Sequence, residues 1–185
     1  VFLNGTEQNE GFVNFLPTMY HGIGGPSHSI PVKNSCTYDP SIGLYSGYVI
    51  FIMYDTSAFW AADFNFNNTN RVDSSIIELH PQSKSLMYIW DNTVSQRTYV
   101  LTLLAPLSPG IGLNTVDLMF HETADLNTFS EVEAAEMFIR PWMEAMGHGS
   151  GNNIDPAYIG GGKYRGTANF TMAGEWFLYD SIKVN

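Results

Sequence analysis

Three methionines and one histidine, Met143, Met146, His148 and Met172, are the residues of this chain whose types and spacing could do chemistry. They lie in the stretch 139–176, which holds little else that is reactive. A thioether sulfur is a soft, uncharged donor and an imidazole a borderline one, so the set suits copper, above all Cu(I), better than magnesium or calcium. Pro141, Gly147, Gly149 and Gly151 punctuate the Met-x-x-Met-x-His run, which reads as a loop able to fold its donors around one point. Met172 follows a strand-like run, 167–171, that ends at the Ala173-Gly174 turn. Core filling is the ordinary use of methionine, and it is the competing reading of each residue taken alone.

The pattern occurs twice. Pro17-Thr18-Met19 corresponds to Pro141-Trp142-Met143, and Tyr45-Ser46-Gly47 to Tyr164-Arg165-Gly166. Met53 stands six positions after Gly47, as Met172 does after Gly166, and Trp60 and Trp176 follow. The two tyrosines are 119 positions apart, a period too long for a solenoid and suited to two tandem domains. The first copy offers Met19, His21, His28 and Met53 as donors; it has no counterpart of Met146 and carries an extra histidine.

Other chemistry is excluded by what is missing around it. His121-Glu122 has no second histidine four residues on, so it is not a zincin motif, and His80 and His121 read as ordinary surface or strand histidines. The Gly-rich runs 22–25 and 160–162 do not end as a phosphate loop does, since Tyr164 follows Lys163. Gly149-Ser150-Gly151 is too short for a nucleophile elbow. No carboxylate pair suggests acid–base work, so the chain reads as not an enzyme. Three Asn-x-Thr triplets, at Asn4, Asn67 and Asn169, fit a glycosylation pattern that is common by chance.

The chain that must position these residues has 185 of them, 14% charged and 14% aromatic, with a net charge of −10. It is long enough for one large or two small cores and too aromatic to be disordered. The negative charge argues against a nucleic-acid partner, which needs clustered Lys and Arg. The one cysteine, Cys36, rules out an internal disulfide and reads as a small buried apolar residue. Soft-metal sites in reducing compartments favour thiolates, so a methionine site points to an extracytoplasmic place: periplasm, cell surface or secreted. A chain beginning at Val1 suits a processed protein. No segment is apolar enough to span a membrane, because Asp55 and Asp63 interrupt the longest candidate.

The expected strands are 11–15, 45–53, 59–66, 76–79, 85–90, 98–104, 116–121, 167–172 and 177–184, with the Pro/Gly run 106–114 as a turn region. Val116, Leu118 and Phe120 alternate with Asp117, Met119 and His121, as in a half-buried strand. Ser130-x-x-Glu133 could cap a helix, but Met137-Phe138-Ile139 leading into Pro141 favours a strand. Many short strands without a convincing amphipathic helix argue for an all-β sandwich. The boundary falls at the polar run 67–70, dividing the chain into 1–70 and 71–185.

The second copy resembles the YtkA-like (FixH-related) heavy-metal-binding domain family of bacterial envelopes. The resemblance rests on Pro141-Trp142-Met143, Met146-Gly147-His148-Gly149, Asn153, Pro156, Gly162-Lys163-Tyr164, Gly166 and the run 169–176 (NFTMAGEW), with 105–114 (APLSPGIGLN) upstream. It is clearest over residues 95–185, with a looser partial copy at 17–66. It implies tandem immunoglobulin-like β-sandwiches, the first incomplete, and copper or heavy-metal binding. The ligands expected are Met143, Met146, His148 and Met172, then Met19, His21, His28 and Met53, with Trp142 and Trp176 walling the second site. The job implied is sequestration or handover of a metal ion. The competing expectation is a structural subunit, a homo-oligomer or surface assembly, completed by β-augmentation from a neighbouring chain.

Overall fold

The computed structural model describes residues 1–22, 24–67, 72–80 and 86–184. The chain is all-β, in several antiparallel sheets, and separates into two compact units. The first unit comprises residues 1–83 and 123–129, the second 84–122 and 130–185.

In the first unit a small hairpin, β1 (Phe2–Leu3) with β2 (Thr6–Glu7), precedes the long strand β3 (Phe12–Tyr20). The strands β4 (Ser27–His28), β5 (Ser35–Asp39), β6 (Leu44–Ser46), β7 (Phe59–Phe66) and β8 (Val72–Ile77) follow. They form one sheet in the order β6-β5-β3-β7-β8, with β4 as a second, short partner of β3. Met19, Ile30 and Trp60 make the buried core, with Val49, Phe51, Ile52 and Ile77 packed around it.

The second unit contains β9 (Met87–Asn92), β10 (Arg97–Ala105), β11 (Gly112–Thr123), β12 (Phe129–Glu131), β13 (Ala135–Met143), β14 (His148–Gly149), β15 (Ile154–Gly160), β16 (Lys163–Phe170) and β17 (Phe177–Val184). One sheet runs β15-β16-β11-β10-β9, with β12 on β11; the other is β14-β13-β17. The core includes Val116, Leu118 and Phe120 of β11, Met137 and Ile139 of β13, and Tyr164, Ala168 and Phe170 of β16. These are alternate positions along each strand, the period that puts one face inward. Tyr164 is fully buried because its hydroxyl donates to the Val132 carbonyl at 2.8 Å and accepts from the Ala135 amide at 3.2 Å.

Most expected strands are present, several extended. Three readings need correction. Residues 47–53 do not form a regular strand: after β6 only Val49 bridges, to Val32. Gly47 passes so close to the Cys36 sulfur that no Cβ fits, and the backbone leaves the ladder there. In β11 Met119 and His121 are buried as fully as Phe120, so that strand is enclosed on both faces rather than half-buried. Val72–Ile77, expected in the second unit, pairs with β7 of the first, from Trp60↔Ile77 to Asn65↔Val72. Residues 68–70 of the expected boundary run 67–70 lie outside the described residues. Gly160, Gly161 and Gly162, all at positive φ, close the β15–β16 hairpin, which explains that Gly-rich run.

Candidate functional site

The second site is built on the end of β13. Pro141 lies just outside the β13–β14 pairing, which covers Trp142 and Met143 only, while it stays in register with Leu178 of β17. After Met143 the chain makes a single 3₁₀ turn, Glu144–Met146, and returns as β14, which puts Met143 directly opposite His148. The run is therefore a strand, a tight turn and a strand, not a loop. The turn closes because Gly147, at φ 64°, donates its N–H to the Met143 carbonyl at 2.9 Å.

β17 supplies the other wall. Its pairing with β13 ends at Trp142↔Phe177, so the preceding residue, Trp176, comes level with Met143. The Trp176 ring lies 5.7 Å from the His148 ring, crossed at 75°. Its indole N–H donates to the Met172 carbonyl at 3.0 Å, tying the turn 171–175 beside the pair. Gly174 in that turn stands so close to Met143 that an added Cβ would be 2.8 Å from the Met143 Cε. Met143 is buried, His148 half-buried and Met172 partly exposed, at 37%.

The His148 Nδ1 lies 2.9 Å from the Gly149 carbonyl. A carbonyl can only accept, so Nδ1 carries the proton and the neutral ring keeps its lone pair at Nε2. A backbone carbonyl that fixes the tautomer this way is the usual support of a metal-ligating histidine.

The first unit repeats the main contacts of this arrangement. Met19 of β3 is opposite His28 of β4, and also opposite Trp60 of β7. The His28 and Trp60 rings are 5.7 Å apart, crossed at 84°. The Trp60 indole N–H donates to the Met53 carbonyl at 3.3 Å, and His28 Nδ1 lies 3.1 Å from the Ser29 carbonyl. Pro17 falls in the interval where β3 has finished pairing with β5 and has not begun with β4. Even the tyrosines recur: Tyr38 faces Tyr45 across β5–β6 at 5.3 Å, as Tyr158 faces Tyr164 at 5.4 Å. His28 Nε2 is buried with no hydrogen-bond partner among the described residues. Such an atom costs about 1–3 kcal/mol unless something occupies its lone pair.

His28, not His21, is thus the counterpart of His148. His21 is the additional residue, its ring 5.4 Å from that of His28 and its Nδ1 3.7 Å from the Asp55 carboxylate. Sequence reasoning missed Asp55, although the Asp-x-Ser spacing that anchors its loop was visible: the Ser57 amide and hydroxyl both donate to it at 2.7 Å. Those hydrogen bonds, with a smaller contribution from His21, hold the Asp55 carboxyl below the usual carboxylate range.

Two expected residues are not brought in. Met146 sits on the exposed side of the 3₁₀ turn, 61% accessible. Trp142 alternates to the opposite face of β13 from Met143, where Arg140 lies over its ring at 4.6 Å. Of the two tryptophans expected to wall the second site, Trp176 is the one beside His148. Met53 and Met172 are joined to their sites through backbone carbonyls, with partly exposed side chains. Cys36 is buried, its thiol directed at the Lys33 carbonyl at 3.4 Å and its pKa raised by burial, so it is poorly placed to give a thiolate donor. No three His, Cys, Asp or Glu side chains form a metal-holding group among the described residues.

Fold and site together define an all-β protein with paired Met–His–Trp clusters at strand ends. Residues 95–179 match the family model described as YtkA-like. No curated protein and no solved structure matches the chain. Among the described residues no helix is long and apolar enough to cross a membrane.

Proposed function

We propose that this is an extracytoplasmic copper-binding protein of tandem immunoglobulin-like units, acting in sequestration or handover rather than catalysis, with copper as its cargo. The observation that carries the reading is the cross-strand Met–His pair with its carbonyl-fixed imidazole, present at both Met143–His148 and Met19–His28. A buried thioether beside an imidazole lone pair is a donor set for Cu(I), and imidazole keeps Cu(II) accessible. In the second unit Met143 and His148 would hold the ion, with Met172 available from the adjoining turn.

The test is a titration of the full chain with Cu(I) against a chromophoric Cu(I) chelator, beside Met143→Leu and His148→Ala. Each variant is expected to lose at least about tenfold in affinity at one site, the range found when a site's supporting groups are removed. Wild-type affinity in both variants would refute the assignment of this site.

A further inference from the structure

The two clusters share their framework but not their donors. Two residues after Met19 the first unit has His21, where the second has Ala145, followed by Met146. The hairpin connecting Met19 to His28 is longer than the one connecting Met143 to His148, and it folds His21 back toward His28. His21 is held there from both sides. Its amide donates to the Pro26 carbonyl at 3.3 Å, and Gly25 lies against its own carbonyl so tightly that no side chain fits. Its Nδ1 lies 3.7 Å from the Asp55 carboxylate, which leaves Nε2 on the side of the ring away from that partner.

We propose that the first unit's cluster is a Cu(II) site using the two imidazoles of His21 and His28 with Met19, whereas the second unit's cluster is a Cu(I) site using His148 and thioethers. This rests on the copper reading above and divides the two oxidation states between the two units. Imidazole suits Cu(II), and an additional nitrogen donor shifts preference toward it; thioether donors shift preference toward Cu(I). Asp55 is a positioning residue: it does not join the ligands but orients His21 and offsets the charge of a bound dication. No electron transfer is implied, since each ion is taken up in the state in which it arrives.

The experiment uses the full chain, titrated with Cu(II) under air and with Cu(I) under anaerobic reducing conditions, followed by electron paramagnetic resonance for the cupric form. Wild type is expected to take up one Cu(II) with hyperfine structure from two nitrogens. His21→Gln is expected to lower Cu(II) affinity at least about tenfold and to leave one coupled nitrogen, with Cu(I) binding at the second unit unchanged. Asp55→Asn is expected to weaken Cu(II) about tenfold while both nitrogens remain in the spectrum, a signature that general loosening of the fold would not produce. An unchanged Cu(II) affinity and spectrum in His21→Gln, with Cu(I) still bound by wild type, overturns the division between units and leaves the copper reading standing. Failure of wild type to bind either ion overturns both. Circular dichroism of each variant separates an unfolded protein from a lost ligand, and Gly25→Ala, which displaces the His21 backbone without removing a donor, is expected to weaken Cu(II) alone.

Discussion

The imidazole of His28 stands 5.7 Å from the indole of Trp60, the two rings crossed at 84°, and the pair His148–Trp176 repeats this at 5.7 Å and 75°. In each, the indole N–H is committed to a methionine carbonyl and the imidazole Nδ1 to the carbonyl of the next residue. The tryptophan therefore screens one side of the histidine while the hydrogen bonds fix its tautomer. What those bonds leave uncommitted is Nε2, on a histidine paired across the strands with a buried methionine. Such half-dry, lone-pair-bearing geometry is what distinguishes these histidines from a surface residue.

Copper uptake should follow acid in a characteristic way. An imidazole must lose its proton to bind a metal, whereas a thioether does not titrate. Cu(I) affinity of the full chain is expected to weaken but persist at pH ~5, because sulfur donors remain. A titration series against a competing chelator between neutral pH and pH ~5 checks this; complete loss of Cu(I) at the acid end would mean nitrogen, not sulfur, dominates both sites.

Gly174 should be intolerant for a reason local to the site. It sits at φ 138°, and a Cβ there would be 2.8 Å from the Met143 Cε. Gly174→Ala is expected to push the thioether aside, lowering Cu(I) affinity several-fold, and to lower the melting temperature as well because the positive φ strains any side chain. An affinity equal to wild type would count against a donor role for Met143, which Met143→Leu tests directly.

Tyr164→Phe should cost stability rather than binding. The hydroxyl donates to Val132 and accepts from Ala135 at the entry to β13, inside the core of the second unit. Removing it leaves a buried carbonyl and amide unpaired, with an expected loss of about 1–3 kcal/mol. Urea denaturation of the two proteins at neutral pH measures it.

The buried His121 should make the fold acid-sensitive. Burial pushes its imidazole down to about 4, with Glu131 pulling weakly the other way. An unfolded chain, with ordinary imidazole near ~6.5, takes up a proton that the folded chain refuses. The stability linked to this group is therefore intact above pH ~6.5 and falls toward pH 4, by about 3 kcal/mol in all. Asp180 works in the opposite direction: its carboxyl lines an aromatic cleft with Tyr88 and Trp90, and burial there raises it to about 6. The residue is otherwise exposed, so solvent damps that effect. Comparing wild type with His121→Leu by urea denaturation at pH 7, 5.5 and 4.5 isolates the histidine, because Asp180 is common to both. Parallel losses of stability in the two proteins would exclude His121 as the cause.

Much of this protein can be read in its residues. The alternation of Val116, Leu118 and Phe120, and the β-branched and aromatic runs, determine strands because side chains on a strand must divide between two faces. The recurrence of Pro-x-Met, Tyr-x-Gly, Met and Trp marked out two clusters, since each of those types answers a local backbone or donor requirement. Only the tertiary structure decided which residues meet. Strand register put His28 rather than His21 opposite Met19, turned Trp142 away while Trp176 came level with Met143, and left Met146 outside. Neighbours across a ladder are set by hydrogen-bond register, and a shift of one position exchanges faces; spacing along the chain does not contain that information. Asp55 escaped notice for the same reason, because its contact with His21 spans 34 positions of sequence and exists only once β3 and β7 have paired.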